Sequence, residues 1–160
     1  MCDYTILKIF LFYLIISQNY DFINSEKKFC DMLIAIDEPL YDIYNRDMKK
    51  LTDMAQLHIK NLNRIYHQTV LTGQYYEDIY FQIKEIKILF DFCKLEKCNN
   101  HNSFLVEFSK LDTSEFCLAH LFTFRDFSGG IQGLGYLGVI CNSKINTGFS
   151  TFINFNVRST

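Results

Sequence analysis

The sequence predicts an α/β domain built on a mostly parallel sheet. Apolar runs with strand character alternate with segments of helical periodicity, in the order strand, helix, strand, helix, strand, and two further strands follow. The run 116–124 is nearly continuous in apolar residues, which is typical of a central strand buried on both faces. The chain has 160 residues, the size of one domain, and 49% of them are apolar, so a real core is possible.

The first 25 residues predict a targeting segment. The apolar run 9–16 (IFLFYLII) is shorter than the roughly 20 residues that span a bilayer. Lys8 precedes the run, and Ser17 or Ser25 offers a small residue at a cleavage site. We therefore assign residues 1–25 to a signal peptide or leader and residues 26–160 to the folded domain. A signal anchor and a mispredicted first exon are the alternatives.

A strand and a long helix are predicted next. Phe29–Ile36 is a compact apolar run, and the acids Asp37, Glu38 and Asp42 flank Pro39, as at a solvated helix start. Apolar side chains then recur every three or four residues, which predicts one amphipathic helix over 40–69. His58 lies on the same stripe, and we interpret it as a core histidine rather than a metal ligand.

The second half of the chain adds strands and a helix. The segment 79–90 alternates in two phases, and a bulge near Lys84 would explain the change. Helical spacing returns over 104–111, and 146–156 predicts a last strand. Between them lies a glycine cluster, 129–138, which is either an edge strand that another backbone can approach closely or a flexible turn.

Charge excludes two classes of partner. The formal net charge is −2, and no block of like charge occurs. We therefore expect neither nucleic acid nor an anionic membrane surface to be bound.

Two motifs resemble one protein family. The run Cys117–Phe127 (CLAHLFTFRDF), followed by Gly133–Gly138 (GLGYLG), is similar to the ADAM-type metalloproteases, in the branch of tumour-necrosis-factor-alpha converting enzyme and Kuzbanian. Upstream, FCDMLIAID at 29–37, IYHQT at 65–69 and IKEIKIL at 83–89 resemble the first strand, first helix end and second strand of that family, in the same order.

The resemblance implies a metzincin-like catalytic domain: a twisted, mostly parallel sheet with one antiparallel edge strand and flanking helices. Such enzymes are zinc endopeptidases, and a protein or peptide substrate strand pairs with the edge. Here the edge corresponds to about 130–137, and the site residues that we assign to it are Gly130, Ile131, Gln132, Gly133 and Leu134.

The zinc motif of the family is absent from the sequence. HExxHxxGxxH does not occur, and none of the histidines, His58, His67, His101 and His120, is followed by glutamate. The resemblance implies that the chain stops before the zinc-binding helix. We therefore assign no catalytic or metal-binding residue, and we expect no zinc on this chain.

Cysteine usage fits the secretory pathway. The resemblance implies a disulfide between Cys30 and Cys117. Cys93 and Cys98 form either a local disulfide or two free thiols. Cys141 matches a family cysteine whose partner lies further downstream, so we expect it to be unpaired.

Two functions remain open. The first is a partial zinc metalloendopeptidase with sheddase-type proteolysis of membrane proteins, inactive as this chain. The second is a non-catalytic secreted decoy or binding module that uses the edge strand. Both place the protein outside the cell or at its surface, with membrane contact only through an uncleaved leader or a missing C-terminal region.

Overall fold

The computed structural model describes residues 27–71, 74–75, 78–93, 98, 100–138, 142 and 145–153. The predicted leader, Cys141 and residues 154–160 lie outside the described residues. The described part of the chain contains a five-stranded sheet flanked by helices.

The sheet is parallel except at one edge. Its strands are β1 (Lys28–Asp37), β4 (Ile79–Leu89), β5 (Leu118–Thr123), β6 (Gly133–Gly135) and β7 (Thr147–Thr151); a small separate hairpin is formed by β2 (Val70–Leu71) and β3 (Gln74–Tyr75). The order in the sheet is β4-β1-β5-β7-β6, and β6 is antiparallel to its neighbour β7. The predicted α/β class with an antiparallel edge strand is confirmed.

The sequence predicted one continuous helix over 40–69, and this prediction was wrong, because the segment forms two helices. α1 spans Glu38–Ile43 and α2 spans Met48–Gln68. Between them Asn45 and Arg46 have φ of 54° and 57°, a left-handed conformation that ends a helix. Asp47 then accepts a hydrogen bond from the Lys50 N–H and caps α2. Because the spacing of apolar residues stays the same across the break, the sequence pattern does not reveal it.

The bulge predicted in β4 is present. Met32 pairs with Ile83 and Leu33 pairs with Glu85, which leaves Lys84 without a partner on β1. Because the bulge corrects the phase, the apolar residues before and after it contact the same core, on the α2 side of the sheet: Ile79, Phe81, Ile83, Ile86 and Ile88.

β1 is buried on both faces. Ile34 and Ile36 pack against α1 and α2, whereas Leu33 and Ala35 pack on the opposite face, where α3 (His101–Phe108) lies. α3 is capped by Asn100 and contributes the buried residues Phe104, Leu105 and Phe108. None of the helices in the described ranges is both long and apolar enough to cross a bilayer.

Candidate substrate-binding edge

β6 is an outer strand whose inner side bonds to β7. The Gln132 carbonyl accepts from the Thr151 N–H at 2.8 Å, and the Tyr136 N–H donates to the Thr147 carbonyl at 3.3 Å. In an antiparallel ladder, the residues that bond to the neighbouring strand alternate with residues that point away from it. The backbone N–H and C=O groups of Gly133 and Gly135 therefore point away from the sheet.

Both outward-facing residues are glycines, and one of them is sterically required. A Cβ on Gly133 would lie 2.6 Å from the Phe149 carbonyl oxygen, whereas a Cβ on Gly135 would lie no closer than 3.6 Å to the backbone of Gly148. Without side chains at either position, a second backbone can approach this edge closely.

The five residues that the sequence assigned to the edge do not all lie in β6. Gly133 and Leu134 lie in β6, while Gly130 ends a 3₁₀ turn (Ser128–Gly130) with φ of 70°. The side chains of Ile131 and Leu134 pack against the α3 core.

The five site residues named from the sequence do not include Gly135, although it lies within the predicted edge, 130–137. The spacing of two residues between Gly133 and Gly135 was the available signal, because residues at that spacing share one side of a strand.

The four histidines lie on three different elements. His58 and His67 are on α2, His101 is on α3 and His120 is on β5. The Nδ1 of His58 bonds to the Met54 carbonyl at 2.9 Å, and the Nε2 of His67 bonds to the Ile79 carbonyl at 2.9 Å. These two rings therefore have structural partners.

His120 and His58 line an open apolar groove of about 370 Å³ between α2 and the sheet. The Nε2 of His120 lies 3.0 Å from the Ser150 hydroxyl on the neighbouring strand β7. Burial, and secondarily the proximity of His58, lowers the pKa of His120 to about 4. The ring is therefore neutral at physiological pH and packs against Phe122, with ring centroids 5.1 Å apart.

A buried polar cluster joins the carboxyl ends of β1 and β5. Asp37 is fully buried, so the interpretation that it is solvated was wrong. Its carboxylate accepts hydrogen bonds from the Leu40 N–H, the Thr123 hydroxyl and the Arg125 Nε–H. Burial raises the pKa of Asp37, and these three donors oppose that rise. No sequence pattern predicts this cluster, because Thr123 and Arg125 are 86 and 88 residues away from Asp37.

Two disulfides are present. Cys30 in β1 is bonded to Cys117, which immediately precedes β5, with Cα atoms 5.2 Å apart. Cys93 is bonded to Cys98 across a separation of five residues. The first disulfide links β1 covalently to the start of β5, and the second joins Cys93, shortly after β4, to Cys98.

The described residues do not fit the zinc site of a metzincin. A catalytic zinc needs three converging protein ligands and an open position. No group of three or more histidine, cysteine or acidic side chains comes together within the ranges that the structure describes.

Comparisons with known proteins agree with this fold. A profile of the family described as "Metallo-peptidase family M12" matches residues 26–160. The disintegrin and metalloproteinase domain-containing protein 10 of Xenopus laevis and of Homo sapiens are each 27% identical over 128 residues, which cover 76% of this chain and 17% of those proteins. The homologue of Caenorhabditis elegans is 27% identical over 173 residues, covering 81% of this chain and 18% of that protein.

The fold also resembles that of a solved structure with little sequence similarity. A chain in the structure of a chaperone–substrate complex has a TM-score of 0.56 at 10% identity, over 81% of this chain and 23% of that chain. The chain spans less than a fifth of the curated relatives it matches. With a profile match from 26 to 160, the chain belongs to the M12 family of metallopeptidases and corresponds to part of an ADAM-type catalytic domain.

Proposed function

We propose that this chain is the substrate-binding part of an ADAM-type zinc metalloendopeptidase and that β6 receives an extended peptide of a membrane-protein substrate. The observation that carries the proposal is the outward direction of the Gly133 and Gly135 peptide groups. A peptide that adds to a sheet edge gains affinity from main-chain hydrogen bonds, and glycines at the edge allow its backbone to approach.

The 160-residue chain by itself is expected to bind peptides without cleaving them. HExxH does not occur in its sequence, and His58, His67 and His120 each bond to a different partner. A chain that retains the edge but not the hydrolytic ligands matches the second candidate, a decoy that competes for substrate. The same exposed edge favours both candidates, and hydrolysis separates them.

A secreted or cell-surface location is part of the proposal. The two disulfides support it, because structural disulfides persist in oxidising compartments.

Peptide binding tests the proposal. A panel of extended peptides is titrated into the isotopically labelled chain, and amide chemical shifts are recorded. We expect the largest changes at Gly133 and Gly135. A matched peptide with N-methyl groups on alternate amides lacks the donors that a strand needs, and we expect it to bind at least tenfold more weakly, since about 1.4 kcal/mol corresponds to a factor of ten. Shifts confined to the α2 groove, or equal binding of both peptides, would contradict the proposal.

A peptidase assay with added zinc tests the expectation that the 160-residue chain does not cleave peptides. We expect no cleavage of the same peptides by the 160-residue chain. Chelator-sensitive hydrolysis would show that the chain holds a catalytic metal through residues that this account leaves out.

A further inference from the structure

Side chains of α2 occupy the first part of the outer edge of β4, at Ile79 and Phe81. Asn63 makes two hydrogen bonds with the peptide groups of Phe81: its Nδ2–H donates to the carbonyl at 2.8 Å, and its Oδ1 accepts from the N–H at 2.7 Å. One turn later on α2, His67 Nε2 lies 2.9 Å from the Ile79 carbonyl, which can only accept, so His67 is the donor.

The spacing of the helix matches the spacing of the strand. Residues 63 and 67 are four apart on α2, which corresponds to about 6 Å of helix. Residues 79 and 81 are two apart on β4, which corresponds to about 6.6 Å of strand, and both direct their peptide groups to the same side. Two consecutive turns of one helix can therefore bond to two consecutive outward positions of one strand.

Aromatic contacts hold the helix against this edge. Tyr66 packs on Phe81 with ring centroids 4.8 Å apart, and His67 packs on Tyr80 at 4.6 Å. The amide of Asn63 carries one acceptor and one donor in the arrangement of a peptide group, so it presents to Phe81 what a neighbouring strand would present.

We propose that Asn63 and His67 act as a substitute strand that closes the β4 edge against strand addition by a second copy of this chain. An outer strand with unpaired peptide groups is a template for pairing with another chain. β4 is the longest strand of the sheet, 11 residues, and would be the more favourable template of the two edges if it were open. Closure of β4 at Ile79 and Phe81 favours β6 as the edge for an incoming peptide, and this step alone rests on the proposed function.

The substitution Asn63→Leu removes both hydrogen bonds at nearly constant size. Asn61→Leu is the matched control, because it makes the same side-chain change at an exposed residue of the same helix. Sedimentation velocity at equal concentrations compares the full-length variants with the wild-type chain. We expect Asn63→Leu to shift toward dimers, with a weight-average mass well above those of the wild type and of Asn61→Leu.

Amide hydrogen exchange supplies a local readout in dilute samples. We expect the Phe81 amide to exchange at least about tenfold faster in Asn63→Leu than in the wild type, because its acceptor is gone. Asn63→Asp keeps the acceptor and loses the donor, so its Phe81 amide should stay protected at neutral pH while the chain still associates more than Asn61→Leu. This second variant preserves the test if Asn63→Leu fails to fold.

Equal masses for Asn63→Leu, Asn63→Asp and Asn61→Leu would overturn the proposal, as would rapid exchange of the Phe81 amide in the wild type. Peptide binding at β6 is measured separately. If it fails while Asn63→Leu still dimerises, the proposed function is wrong and the closure of β4 stands.

Discussion

The carboxylate of Asp37 accepts a hydrogen bond from the hydroxyl of Thr123, 86 residues later, with the two oxygen atoms 2.6 Å apart. Both residues are fully buried. The same carboxylate caps α1 and pairs with Arg125. This cluster therefore couples the end of β1, the start of α1 and the segment after β5, and its stability can be tested directly.

Thr123→Val should destabilise the fold by about 1–3 kcal/mol, because it removes one donor to a buried carboxylate and the acceptor for the Arg125 N–H. Urea denaturation measures the change in unfolding free energy. Asp42→Ala is the control, since it breaks an exposed ion pair with Arg46 and should cost no more than about 1 kcal/mol. Equal losses of unfolding free energy in the two variants would mean that the buried cluster contributes no more to stability than an exposed ion pair.

The two edge glycines give a matched pair of substitutions. Gly133→Ala should destabilise by roughly 1–3 kcal/mol, because its Cβ would meet the Phe149 carbonyl at 2.6 Å. Gly135→Ala should be neutral or stabilising by up to about 1 kcal/mol, because its Cβ meets only ordinary contacts and the unfolded chain loses freedom. Thermal unfolding of both variants decides the matter, and a reversed order would contradict the geometry of β6.

Stability should fall in mild acid because of His120. Its pKa is lowered from 6.5 to about 4 in the folded state, so folding favours the neutral ring. The stabilisation is complete above about pH 6.5 and is lost as the pH falls toward 4, with a magnitude on the order of 3 kcal/mol. His120→Phe should remove this dependence. Asp37, with a raised pKa, titrates with the opposite sign, so the difference between variant and wild type is the quantity to measure.

Loss of the long-range disulfide should cost more than loss of the short one. In the chain-entropy picture, the loop between Cys30 and Cys117, with a separation of 87, corresponds to roughly 4–5 kcal/mol. The loop between Cys93 and Cys98, with a separation of five, corresponds to about 2 kcal/mol. Double alanine variants of each pair, compared by urea denaturation, test the order, and a costlier Cys93–Cys98 pair would count against it.

The sequence predicted the features that repeat along the chain. Apolar runs located β1 and β5, an alternating pattern located β4, and the predicted last strand over 146–156 contains β7. The phase change near Lys84 located a bulge that the register confirms. The break at Asn45 and Arg46 was missed because neither residue type demands a left-handed conformation, and the apolar period of the two helices stays in phase across it.

The site was less predictable because its parts are distant in sequence. The outward side of β6 follows from hydrogen bonds to β7, and the closure of β4 follows from the placement of Asn63 beside Phe81, 18 residues later. An asparagine on a helix can have many structural roles, and only the packed structure shows that this one bonds to the neighbouring strand.

The bulge at Lys84 also bears on which length changes the sheet tolerates. β4 has 11 residues opposite ten in β1, and Lys84 is the surplus one, with its ammonium bonded to the Glu115 carbonyl ahead of β5. Deleting Lys84 would leave a regular strand in which Ile83 and Glu85 are successive and every remaining side chain keeps its face. Deleting any residue from Glu85 to Ile88 instead would move the side chains between that residue and the bulge to the opposite face of the sheet, or would remove the bulge. Single-residue deletions are therefore best accommodated at Lys84 itself.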